Sequence, residues 1–140
     1  MALEQRGVEI KRNFNTRSIA LQGIEVHSRE TTELHVTLPR PTAVQASFHR
    51  EGVGRKVVKL FKKELQIGDV TFDDAVHVST ADEAATRAFL GDQQVRDAIV
   101  EIVEEGGSVE IAGAFVEIEV AGHESGDDLR VTRIVEALLG

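Results

Sequence analysis

Residues 108–120 read SVEIAGAFVEIEV, and no other stretch limits the fold so tightly. Apolar and polar residues alternate with period two on both sides of Gly113-Ala114, the pattern of two strands with one face buried and one wet. A two-residue type II′ turn at Gly113-Ala114 sets Val109 against Ile118 and Ile111 against Val116. All four inward positions then agree in one register, and a slip of one residue would turn them outward. The chain is thereby committed to an antiparallel sheet with a one-sided core. The same register puts Glu110 opposite Glu117, with Glu119 on the same outward face. Directly opposed like charges destabilise a sheet, so solvent, a basic partner or a basic segment of the chain itself has to offset them. A glycosidase built on paired carboxylates would need a sugar-stacking aromatic and a cleft, and Phe115 alone lies nearby.

A second informative stretch covers residues 64–90, ELQIGDVTFDDAVHVSTADEAATRAFL. Gly68-Asp69 is a turn signal, Phe72 is one of six aromatic residues, and residues 75–79 alternate around Val76 and Val78 as a half-buried strand does. Thr80 and Glu83 have the spacing of a capping box, in which the hydroxyl caps a free amide and the carboxylate returns to the cap residue's N–H. Gly91 is placed to end that helix in a left-handed conformation, and Asp92 to cap a second. There Val95, Ile99, Ile102 and Val103 make a core-facing stripe that Gly106-Gly107 terminates. A final helix follows Ser125 and Asp128, with Leu129 or Val131, Ile134, Val135 and Leu138 inward.

Earlier in the chain, strands are expected over residues 19–26, 33–38 and 44–49, with an edge strand or a frayed start before them. Pro39 and Pro41 lack ladder donors and mark a loop. Residues 53–65 carry Val53, Val57, Leu60, Phe61 and Leu65 near helical spacing and are expected as a short amphipathic helix. At 140 residues the chain is long enough for one domain, 1–140, with 1–6 frayed. The sum is an α+β fold: a mostly antiparallel sheet of six to seven strands, a helix pair and a C-terminal helix. A pleckstrin-homology-like barrel with a helical insertion is the alternative.

Leu65-Gln66-Ile67-Gly68-Asp69, Phe72-Asp73, Val76-His77-Val78, Ala88-Phe89-Leu90, Val95-Arg96 and the hairpin at 109–120 together resemble an uncharacterised family of bacterial proteins. That family shares the motif I/V-G-D-x-x-F-D and the order strand, helix pair, hairpin, helix. The resemblance covers about the last 90 residues of this sequence and implies no activity, cofactor or site. Val76 stands where the family usually has an aromatic residue.

Composition excludes more than it suggests. Without cysteine there is no thiol catalysis, thiolate metal site or disulfide. The net charge is −8, and it is uneven. Residues 50–63 hold six bases and one acid, whereas residues 64–128 hold seventeen acids and two bases. Such a chain repels nucleic acid over most of its surface. No apolar run reaches the roughly 18 residues of a membrane span, and the first residues lack the apolar stretch of a signal peptide. A soluble, cytoplasmic protein is expected.

Three groups of side chains carry possible chemistry. Asp69, Asp73 and Asp74 offer oxygen ligands beside a glycine, as a hard cation requires, although Asp69 and Asp73 serve equally as acceptors for turn amides. Aligning the three early strands apolar to apolar puts His27, Glu33 and His49 in one outward row, a zinc-compatible donor set whose histidines stand roughly 9 to 10 Å apart. Arg55, Lys56, Lys59, Lys62 and Lys63 form a basic surface for a partner or an anionic membrane, where each charge contributes on the order of 1 kcal/mol. The serines sit in no nucleophile-elbow context. The sequence therefore suggests a non-catalytic protein-interaction module without a cofactor, acting on a protein partner or on itself. A metal-dependent enzyme using Asp69/Asp73/Asp74 or His27/Glu33/His49 is the first alternative, and a membrane-surface adaptor acting through residues 55–63 the second.

Overall fold

A computed structural model describes the backbone of residues 2–21, 24–50, 63–122 and 128–140, and their side chains except at 2, 17–21, 24–29 and 63. The strands are β1 (Glu9–Leu21), β2 (Ile24–Thr37), β3 (Gln45–Arg50), β4 (Lys63–Leu65), β5 (Val76–Thr80), β6 (Ser108–Ala112) and β7 (Phe115–Ala121). The helices are α1 (Ala2–Gln5), α2 (Val70–Ala75), α3 (Glu83–Phe89), α4 (Gln93–Glu104) and α5 (Leu129–Leu139). All seven strands join one open sheet in the order β1-β2-β7-β6-β3-β5-β4, and every neighbouring pair is antiparallel. This is the α+β architecture expected. The barrel alternative is overturned, because β1 and β4 stand at opposite edges and the sheet does not close.

The β6–β7 hairpin has the register read from its alternation, Val109 facing Ile118 and Ile111 facing Val116. These four side chains are buried and belong to one continuous core with Phe48, Phe72, Ile99 and Ile134. Helix α4 lies across the middle of the sheet, touching β3, β5, β6 and β7, and α2 and α5 pack on it. Its inward stripe is the expected one: Val95, Ile99, Ile102 and Val103 are all buried, with Ala98 between them. Gly106 adopts φ +93° after the helix. Its N–H reaches Val103 O and the N–H of Gly107 reaches Ile102 O, the paired bonds of a Schellman ending. In α5 the inward residues are Val131, Ile134 and Val135, while Leu129 is exposed.

Elsewhere the sequence expectations need correction. Residues 19–26 are not one strand: β1 ends at Leu21 and β2 begins at Ile24, and the two face each other. Alternation running through both strands hid the break between them. Conversely, residues 27–32, between two of the expected strands, are themselves part of β2. β7 pairs with β2 only from Thr31 to Thr37, so residues 24–30 pair with β1 alone as a two-stranded ribbon and have no core to demand an apolar face. Residues Ala2–Gln5 form α1, and Leu3 is buried.

Around Gly68 the chain makes an unexpected helix, α2, which Asp69 caps through the N–H of Phe72. The cap of α3 is Asp82 rather than Thr80. Thr80 instead accepts from the N–H of Asp82, donates to Gln45 O and pairs with Thr86. Leu90, at φ −81°, ends α3 in place of Gly91. Asp92 and Asp128 cap α4 and α5. Of the amphipathic helix expected over residues 53–65, positions up to 62 lie outside the described residues, and Lys63–Leu65 is strand β4.

Candidate functional site on the open face of the sheet

Because side chains alternate along each strand, the residues between the core positions line the face opposite α4. One row crosses the sheet from edge to edge: Glu64, Ser79, Ser47, Glu110, Glu117, His35 and Lys11, on β4, β5, β3, β6, β7, β2 and β1 in turn. The next row carries Ser108, Glu119, Glu33 and Asn13. Four carboxylates therefore meet on β2, β7 and β6, with Glu110 opposite Glu117 and Glu33 opposite Glu119. Burial, reinforced by the charge of Glu117, pushes the Glu110 carboxyl above its ordinary value.

Glu33, His35 and Glu117 converge. One ligand atom from each lies within 4.8 Å of the other two, and His35 Nε2 is 3.4 Å from a Glu33 carboxylate oxygen. Beside them a cleft of about 200 Å³ opens between His35, Thr37, Glu110, Ala112, Phe115 and Glu117. Phe115 stands at its edge, 67% exposed.

A second polar cluster lies toward β4. His77 Nδ1 is 3.1 Å from Glu64 Oε1 and Nε2 is 3.3 Å from Ser79 Oγ, while the His49 ring meets His77 edge to face at 4.9 Å. The order Ser-His-Glu is that of a nucleophilic relay. Among the described residues, however, access and an oxyanion hole are missing: Ser79 is 1% exposed, and at Ser79 β5 is paired with β3 on one side and β4 on the other, so the ladder amides there are not free donors for a developing oxyanion.

The residues singled out in the sequence fall in several places. Asp69 caps α2 and also accepts from Arg96 Nε at 3.0 Å. The Phe72 amide, then Arg96, hold its carboxyl below the usual range. Asp73 accepts from the N–H groups of Ile67 and Gly68, and Asp74 is exposed beside Arg50 and Glu104. Asp69 and Asp73 are engaged separately, and the three do not converge as Glu33, His35 and Glu117 do.

The His27–Glu33–His49 row does not form. Positions 27 and 33 share strand β2, and His49 is on β3, three strands away, opposite His77. Alignment of apolar residues had assumed that β2 and β3 were neighbours, whereas β7 and β6 lie between them. Arg55, Lys56, Lys59 and Lys62 lie outside the described residues, and Lys63 starts β4. Glu117 opposite Glu110 was legible in the hairpin; His35 opposite Glu117 was not, because β2 and β7 are 80 residues apart in sequence. Among the described residues no helix is long and apolar enough to cross a membrane. No family model matches the chain, no curated protein shows significant similarity to it, and no solved structure does so either.

Proposed function

We propose that the protein is a non-catalytic interaction module whose open sheet face receives a basic segment of a protein partner. The observation that carries this reading is the double opposition of like charges, Glu110 against Glu117 and Glu33 against Glu119. Such pairs weaken a sheet by up to about 1 kcal/mol each unless a cation stands over them. A Lys or Arg side chain is such a cation. Phe115, exposed at the edge of the cleft, adds an apolar contact and the negative face of a ring for the same cation. Helices cover the other side of the sheet, and on this side Glu117 and Phe115 are exposed, so a partner can lie across β2, β7 and β6.

The test is fluorescence anisotropy with a labelled peptide alternating Lys and Leu, titrated with the full chain at low and high salt. Saturable binding that weakens with salt, and that is lost in Glu110→Lys and Glu119→Lys, is expected. Absence of binding, or binding indifferent to both substitutions, would overturn the reading. An unlabelled peptide copying residues 50–65 of the chain, added as competitor, distinguishes a partner's basic segment from the protein's own.

A further inference from the structure

Within the same face, three side chains form a set of donors that suits a metal ion. We propose that Glu33, His35 and Glu117 bind one divalent transition-metal ion of the zinc class. This inference shares with the preceding reading Glu33, Glu117 and the cleft beside Phe115, but it rests on the convergence of three ligand atoms and not on the like-charge oppositions.

The placement follows from strand geometry. Glu33 and His35 are two residues apart on β2, so both point to the open face, and Glu117 is the direct partner of His35 on β7. Two side chains at i and i+2 with a third across the ladder enclose a small triangle, with edges of about 5 to 7 Å at Cβ. The ligand atoms close that triangle to within 4.8 Å. An ion bound at about 2.0 to 2.1 Å needs its ligands roughly 3.4 Å apart. His35 Nε2 and the Glu33 oxygen already have that separation, at 3.4 Å. Glu117 is exposed and reaches the others by turning about its own side chain.

Donor chemistry sets the class of ion. One imidazole and two carboxylates suit zinc, manganese or ferrous iron, whereas calcium and magnesium take oxygen alone. Two positive charges over Glu33 and Glu117 also relieve both like-charge oppositions, since each contains one of these residues. Three protein ligands leave a coordination position open, on the side of the cleft that Phe115 borders.

The experiment uses the full chain freed of metal by chelation and titrated with zinc chloride alone, read by calorimetry and by native mass spectrometry. One equivalent is expected, with affinity lowered at least about tenfold in His35→Ala and in Glu117→Gln. His77→Ala, in the separate cluster near β4, leaves the affinity unchanged. Cobalt as a stand-in gives visible absorption bands whose intensity reports low coordination number and which vanish in His35→Ala. No stoichiometric zinc, or zinc held equally by His35→Ala, overturns the site. Thermal melts of the metal-free variants matching the parent establish that each is folded. Because no peptide enters these measurements, the metal site and the basic-partner reading fail independently.

Discussion

Arg96 of α4 donates from Nε to the Asp69 carboxylate at 3.0 Å, and Asp69 is the cap of α2. One side chain thus ties the long helix to the short one, and it also donates to Leu90 O, at the end of α3. Six residues are too few for a helix to persist without such anchoring. In Arg96→Met, amide hydrogen exchange at Phe72 and Asp73 is expected to accelerate by about tenfold while α5 amides keep their rates. Equal acceleration everywhere would mean that the contact supports the whole domain rather than α2.

Phe72 points from that helix into the core and is 1% exposed. Phe72→Ala is expected to destabilise by about 3 to 5 kcal/mol through the cavity left behind. Urea unfolding with an unchanged slope checks this. A midpoint close to that of the parent would show that α2 is dispensable to the core.

At Gly107 a Cβ would lie 2.1 Å from Glu119 O, 2.8 Å from Ile102 Cγ2 and 2.9 Å from Ile102 O. Two of those atoms are backbone, which cannot rotate away. Gly107→Ala therefore forces the end of α4 and β7 apart, and a loss of about 3 kcal/mol is expected in the same assay. Gly68→Ala is a useful contrast, because its Cβ meets nothing within 4 Å and its positive φ leaves strain alone, about 1 kcal/mol.

Asp128 caps α5 and is 2.8 Å from Arg130 Nη2, while Nη1 of the same guanidinium binds Glu105. Burial alone would raise its carboxyl, but the bonds from the Arg130 guanidinium and amide outweigh burial and hold it below 3.8. The folded state thus binds this proton less well than the unfolded state. Its contribution is complete above about pH 4 and is lost as pH falls through the lowered folded value. Asp128→Asn is expected to cost about 1 kcal/mol at neutral pH and nothing in strong acid, as paired acid titrations of stability would register.

Glu110 behaves in the opposite sense. Burial and then Glu117 raise its carboxyl above 4.5, so the folded state holds the proton more tightly and stability falls as pH rises through the raised value. In chelated protein Glu110→Gln is expected to gain about 0.5 kcal/mol at pH 7 and nothing below the ordinary carboxylate range. A gain that persists at low pH would assign the effect to packing instead of charge.

What was legible in the sequence was the part governed by near neighbours. Alternation with a two-residue turn placed the β6–β7 hairpin and its opposed glutamates, and a 3.6-residue stripe placed α4 and α5. Asp92 and Asp128 were visible as polar residues before helices, whereas α2 and its cap Asp69 were not foreseen, and at 80–83 the Thr-x-x-Glu pattern hid the cap Asp82, because Thr80 spends its hydroxyl on Gln45 and Thr86 instead. Strand order was not legible. Nothing local to Glu33 or His35 says that their neighbour is Glu117, so the converging trio appears only when the sheet is assembled. The polar tip of the β1–β2 ribbon misled for a related reason: binary pattern reports what a core demands, and residues 24–30 pair with β1 alone.

The strand order also sets the timetable of synthesis. β2 leaves the ribosome early, but the strand that covers its inner edge is β7, which follows nearly 80 residues later, after β3, β4, β5 and β6. At elongation rates of roughly 5 to 20 residues per second, that edge waits for several seconds with its amides and carbonyls uncovered. β1 and β2 are synthesised together, but they join the rest of the sheet only through β7. A nascent chain stalled before residue 115 is therefore open to strand exchange with another copy, which makes the closing β2–β7 seam the step at which assembly of this fold succeeds or goes astray.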